Sequence, residues 1–251
     1  MYTDGMQRAS PATATAPDGL SGSAARGAAS PKARTLSELR RRILTLDLAP
    51  GAELDETRLS EAYGMSRTPL REVLRALAGE GYITLRSNRS AVVAPMSPET
   101  MRAFFQSAPM IYASIARLAA ESASASGVEA LKDIQHRFRD AVAEGDVDRT
   151  VVLNDAFHAG IGELAGNPYL TPSLRRLLID HARIGQTFWR PRNAAERDAI
   201  RMATEQHDAM IDAIERGDGD GAVAVTLAHW DLSRDRMERY VRPDPLPVEL
   251  A

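Results

Sequence analysis

The chain has 251 residues, of which 44% are apolar and 26% charged, for a net charge of −3; that suits one large domain or two modest ones and excludes wholesale disorder or a fibrous repeat. Cysteine is absent, which excludes disulfides, thiolate metal sites and a cysteine nucleophile. No apolar run nears the roughly 18 residues of a membrane span, and no basic segment precedes an apolar run at the start, so no secretory leader and a cytoplasmic location are expected.

Residues 1–33 are dominated by Ala, Ser, Thr, Pro and Gly, too poor in large apolar groups to offset ordering entropy, and read as a disordered tail. A capping box at Thr35-Leu-Ser-Glu38 then opens a first helix carrying Leu36, Leu39 and Ile43. Leu48-Ala-Pro-Gly51 breaks it. Asp55 is placed to cap a second helix that Gly64 ends, and Ser66 to cap a third through Leu70, Leu74 and Leu77 towards Gly81. The β-prone runs 82–85 and 91–94 flank Arg86-Ser-Asn-Arg-Ser90 and read as a hairpin. Residues 34–95 thus form one unit, three helices and a wing.

From Pro98 onward the pattern is helical, with breaks near Gly127, Gly145, Asn167-Pro168, Pro191 and Gly217–Gly221. That makes six helices over 96–241, or seven if Pro109 splits the first. Residues 242–251 read as a polar tail. The fold class expected is mainly α, a winged helix-turn-helix followed by a helical bundle of six or seven helices. Gly217-Asp-Gly-Asp-Gly221 superficially suggests calcium, but the remaining loop ligands are missing, and it reads as a turn.

Residues 31–95 carry 11 Lys/Arg against 8 Asp/Glu, whereas 96–251 carry 18 against 24. A basic first part joined to an acidic remainder hints at an anionic partner for the first. Arg67, Arg71 and Arg75 are spaced four apart on the third helix, opposite Leu70, Val73, Leu74 and Leu77. Arginines there can reach phosphates or guanine edges, Ser66 and Thr68 suit phosphate or base contacts, and Arg86 and Arg89 flank the wing tip. The bland alternative is a solvated helix with ordinary surface arginines. The stretch from Leu48 to Gly81, with Pro50-Gly51, Ser66-Arg67-Thr68-Pro69 and Arg71-Glu72, resembles the signature of GntR-family bacterial transcription regulators. The resemblance implies a winged helix-turn-helix that binds palindromic operators as a homodimer, with DNA contacts at Ser66, Arg67, Thr68 and Arg71. The chain departs from the family at Thr57, where some members place a further arginine, and at the wing tip, where Asn88 stands for the usual glycine.

Asn154 and His158 share one helix face at a four-residue spacing. His207 and His229 lie 11 residues to either side of residue 218 in the glycine turn, so an antiparallel helix pair brings their imidazoles level. Three imidazoles with an amide or carboxylate oxygen suit zinc, nickel, manganese or iron with open positions. Separate core or surface histidines are the alternative. Asp155 lies about 100° round the helix from Asn154 and is not expected to replace it. The segment Asn154-Asp-Ala-Phe-His158 followed by Gly166-Asn167 resembles the FCD-type (FadR C-terminal domain) effector-binding bundle of GntR regulators. Many members hold a divalent metal with an aspartate, a histidine four residues later, and two histidines 22 apart; these roles fall on Asn154, His158, His207 and His229. Asn154 stands in place of that aspartate, so weaker metal binding is implied. Ala108 and Tyr112 stand where members often carry an arginine and a glutamate.

Arg175, Arg176, His181, Arg183, Gln186 and Arg190 share one predicted helix. A solvated face is one reading; the other turns His181 and Arg183 into a cavity to hold an anionic effector. The function expected is an effector-responsive DNA-binding repressor, a homodimer with no membrane role, whose bundle binds a small carboxylate at the metal. Two alternatives stand beside it: a metal-dependent helical-bundle enzyme, for which no general base is evident, and a regulator whose chamber is metal-free.

Overall fold

The computed structural model describes residues 30–86 and 90–241. Helix α1 (Pro31–Leu44) begins four residues ahead of the expected capping box. Ser30 caps it, accepting from the Ala33 amide at 3.2 Å, and Pro31 occupies the first turn, where its missing N–H costs nothing. Thr35 is consequently a buried mid-helix residue, not a cap, and the helical part of the head starts at Pro31 rather than 34. The remainder of the expected N-terminal tail, the wing-tip residues 87–89 and the tail 242–251 lie outside the described residues.

Strand β1 (Glu53–Leu54) follows, then α2 (Glu56–Tyr63), α3 (Arg67–Glu80), β2 (Ile83–Leu85) and β3 (Ala91–Val93). Asp55 caps α2, accepting from the amides of Thr57 and Arg58 at 2.8 and 2.9 Å. The expected hairpin is a three-stranded antiparallel sheet in the order β1-β3-β2, with Leu54 opposite Ala91 and Ile83 opposite Val93. A two-residue strand is too short to show alternation, which is why β1 leaves no mark in the sequence. Leu39, Ile43, Leu70, Leu74 and Leu77 form the core of this head under Ile83 and Val93.

The second part comprises six helices among the described residues: α4 (Pro98–Ser122), α5 (Ala125–Glu144), α6 (Val147–Ala165), α7 (Leu170–Gly185), α8 (Ala194–Glu215) and α9 (Gly219–Val241). Pro109 lies inside α4 without splitting it, so the seven-helix alternative falls. The first break comes at Ala123, not Gly127. Ser124 caps α5 by accepting from the Gly127 amide at 3.2 Å, and Gly127 sits inside the helix for steric reasons. A Cβ there would lie 2.3 Å from Leu164 Cδ2, so a larger residue would push the Leu164 side chain aside where α5 meets α6. The 217–221 segment is the turn between α8 and α9, with Gly217 at φ +69°.

Helix α6 is central, packed by α4, α5 and α7, while α9 lies against α4 and α8. Three neighbours bury one broad side of α6, including Asn154, Phe157 and His158, while Glu163 stays exposed. Phe104, Ile115, Leu131, Phe157, Leu174 and Met210 fill the bundle core. Head and bundle are packed together: Leu44 at the end of α1 shares a cluster with Phe138, Ile179 and Trp189.

Candidate functional site

The exposed face of α3 carries the side chains expected to meet DNA. Leu70, Val73, Leu74 and Leu77 are buried, which by helical periodicity turns Arg67, Thr68 and Arg75 outward, and all three are exposed. Ser66 holds the N-cap position, yet its hydroxyl makes no capping bond, which leaves it available to an external acceptor. Arg71 is half-buried, and its Nε donates to Glu56 Oε2 at 3.0 Å. That carboxylate, in the first turn of α2, fixes Arg71's direction. No spacing in the sequence points to it, because the contact is made between helices. Arg86 is exposed beside Glu53 at 3.3 Å, and Arg89 lies outside the described residues.

A second cluster lies inside the bundle. His158 of α6, His207 of α8 and His229 of α9 are buried, and one ring nitrogen of each lies within 4.8 Å of the others. The level placement of the histidines across the glycine turn is observed, with the His207 and His229 rings 4.8 Å apart. Two glutamines fix their tautomers. His207 Nδ1–H donates to Gln135 Oε1 at 3.0 Å and His229 Nδ1–H to Gln206 Oε1 at 3.1 Å, which leaves each Nε2 as a lone-pair donor. Gln135 is itself oriented, since its Nε2 donates to the Thr204 carbonyl and to Asp208 Oδ1 at 3.0 and 3.1 Å. Neither glutamine is foreseeable from sequence, because each acts through a ring it orients.

Burial, reinforced by neighbouring imidazoles, holds His158 and His207 well below the usual histidine range, and mainly burial lowers His229 to about 3. All three are neutral at pH 7, the form that ligates. Asn154 is buried on the same face of α6 as His158. Three buried atoms, Asn154 Oδ1, His158 Nε2 and His207 Nε2, have no hydrogen-bond partner. Orphaned acceptors of this kind are costly unless something binds them. The donor set of three imidazoles and an amide oxygen fits a divalent ion. Asp155 is absent from this group; it is half-buried, and burial raises its carboxyl to about 7 while Arg40 pulls the other way.

Aromatic rings border the histidine cluster. Tyr112 OH lies 2.7 Å from His181 Nδ1, and the His181 ring is 5.5 Å from His158. Trp230 packs on Tyr112 at 5.8 Å and Phe104 on Trp230 at 5.5 Å. His181 therefore borders the histidine cluster, as one of the two α7 readings requires. Arg183 is placed elsewhere. It is fully buried and spans from the bundle to the head, with Nη1 donating to the Ala94 carbonyl at 2.6 Å and Nη2 to Asp180. Helix α7 ends at Gly185, so Gln186 is its C-cap and Arg190 lies beyond it rather than on it; Gln186 Nε2 donates to the Leu44 carbonyl at 3.0 Å. The solvated-face reading thus fails for Gln186 and Arg183, because that side of α7 is covered by the head. Arg175 does conform to it, exposed and paired with Glu163 at 2.5 Å.

Two family models match the chain. That described as bacterial regulatory proteins, gntR family, matches residues 31–93, and that of the FCD domain matches residues 110–232. Among similar proteins, an uncharacterized HTH-type transcriptional regulator in an unstable DNA locus of Streptomyces ambofaciens is 31% identical, over 83% of this chain and 85% of its own length. The HTH-type transcriptional repressor RspR of Escherichia coli is 28% identical over 76% and 82%. Of solved structures, McbR/YncC of E. coli shares the fold with a TM-score of 0.70 at 18% identity, covering 86% of this chain and 100% of that one.

Proposed function

The chain belongs to the GntR family of bacterial regulatory proteins with an FCD domain, a DNA-binding regulator and not an enzyme, and from that premise we propose a homodimeric repressor that answers to a small carboxylate at a metal centre. The observation that carries the metal is the convergence of His158, His207 and His229 with three buried atoms lacking partners. These histidines hold the ion as neutral donors, with Asn154 Oδ1 as a weaker fourth ligand because an amide brings no charge. Bound zinc, nickel, manganese or iron supplies Lewis-acidic open positions suited to a carboxylate oxygen. Tyr112 and His181 border that space and orient the effector's remaining polar atoms.

Ser66, Arg67, Thr68 and Arg71 read the operator, Arg75 and Arg86 engage its phosphates, and Arg89 extends the wing contact. Two heads on one dimer match the two halves of a palindrome. Repression rather than activation is supported by the name of the E. coli relative. Signal passes through α7, which borders His158 through His181 and grips the head through Arg183 and, at its C-cap, Gln186. An effector that binds one setting of α7 better shifts the population of head positions and so the fit to two half-sites.

Gel-shift titration of DNA upstream of the protein's own coding sequence tests the reading. Metal-loaded protein is expected to bind tightly without effector and to be released by one or more members of a panel of small carboxylates. Failure to bind any such fragment, or release that is the same with and without metal, contradicts it; the latter result favours histidines that bond the effector directly.

A further inference from the structure

Between α5, the start of α6, the α7–α8 connection and α8 lies a groove of about 460 Å³, within the roughly 300–1,000 Å³ of small-molecule pockets. None of His158, His207 and His229 lines it. Val142, Val147, Trp189 and Ile200 supply an apolar floor, and three guanidinium groups stand on its rim. Two of these are engaged: Arg139 pairs with Asp208, and Arg201 pairs with Asp198 and Glu205 at 3.2 and 3.0 Å. Arg197 makes no ion pair among the described residues, and its side chain is exposed in the first turn of α8. An unpaired cation over an apolar, tryptophan-floored recess is complementary to a molecule with one negative charge and a flat apolar body.

We propose that this groove is a second small-molecule site, taking an aromatic carboxylate with its ring on Trp189 and its charge on Arg197. The site stands apart from the chamber but is joined to it. Trp189 packs edge-on against Phe138 at 5.4 Å, and Phe138 lies 4.8 Å from the His207 ring. On the polar side, Arg139 holds Asp208, which accepts from Gln135, which orients His207. A ligand whose carboxylate also draws on Arg139 acts on the same carboxylate that sets the Gln135 amide. Binding itself requires no metal in the chamber, so the inference stands or falls independently of the metal centre.

Isothermal titration of the full-length protein with 2-naphthoate is the direct test, using two variants at exposed positions. Ala143 lines the groove without belonging to the core, and Ala143→Trp fills the recess. Arg197→Glu reverses the rim charge at a helix start, where an acidic residue suits the helix dipole. Wild type is expected to bind one 2-naphthoate per chain, Ala143→Trp to weaken binding at least tenfold, and Arg197→Glu about fivefold or more. Uncharged 2-naphthalenemethanol should bind wild type and Arg197→Glu alike. No binding to wild type overturns the proposal, as does binding that both variants leave unchanged, which would place the ligand elsewhere. If wild type fails to bind and Ala143→Trp breaks a dimer, the groove is an interface between copies and the proposal is wrong.

Discussion

Arg183 of α7 donates from Nη1 to the main-chain carbonyl of Ala94 at 2.6 Å, so a fully buried cation in the effector bundle terminates on the residue that follows the last strand of the DNA-binding head. Its other end is neutralised by Asp180, which also accepts from Arg176 at 3.2 Å. The arrangement neutralises a buried charge while leaving Arg183 Nε without a hydrogen-bond partner among the described residues, and it ties the head's position to α7.

Breaking that pair is costly, because it leaves a buried carboxylate short of a partner. Arg183→Met is expected to destabilise the protein by about 3 kcal/mol or more, measured by urea unfolding. Adding Asp180→Leu should recover much of the loss, since the uncompensated charge goes with it. A double variant as unstable as the single would show that the bond to Ala94, not the pair, carries the stability.

Removing either Arg67 or Arg71 should weaken specific operator binding by about 1–3 kcal/mol while leaving the unfolding midpoint in place. Glu56→Gln should act in the same direction but less, because Arg71 keeps its charge and loses only the carboxylate that orients it. Gel-shift affinities against a scrambled DNA check both; wild-type discrimination in Arg67→Ala would remove α3 as the reading helix.

The buried histidines give metal-free protein a definite pH response. Their native pKa values are depressed, to about 4 for His181 and about 3 for His229, whereas unfolded histidine titrates near roughly 6.5. Stability is undiminished above that value and is lost as pH falls below it, by about 1.4 kcal/mol per pH unit for each histidine not yet protonated in the native state. Asp155 acts oppositely. Raised to about 7, it keeps a proton that the unfolded chain releases near 4, so its contribution falls as pH rises between those values. Its partial exposure reduces the size of that contribution. Urea midpoints with chelator present should therefore drop between pH 6.5 and 5, and more steeply in Asp155→Asn.

Asn154→Asp should tighten metal binding at least tenfold by placing a charge where a buried amide oxygen now lacks a partner. Competition with a chromogenic chelator reads this directly. An unchanged affinity would mean that residue 154 does not ligate.

What the sequence makes legible follows the range of the interactions involved. The leucines of α3 repeat at helical spacing, and the glycine turn sets His207 and His229 level; both are local patterns that survive folding unchanged. Asn154 and His158 share a face for the same reason. Glu56, Gln135 and Gln206 were not legible, because each acts across a helix interface on a residue 15 or more positions away. Arg183 was misplaced because helical periodicity says which residues lie together but not which side of α7 the head will cover. The β1 strand and the Ala123 break fell below the length at which periodicity speaks, and Gly127 looks like a helix end until Leu164 is found against it.

The central claim, that His158, His207 and His229 form a divalent metal centre, is tested most directly by metal content per chain after loading with cobalt and gel filtration. Wild type should retain one ion per chain with the visible absorption of nitrogen-coordinated cobalt, and His207→Ala should retain far less while still binding operator DNA. Wild-type protein that emerges without cobalt, or His207→Ala that retains a full equivalent, would contradict the account.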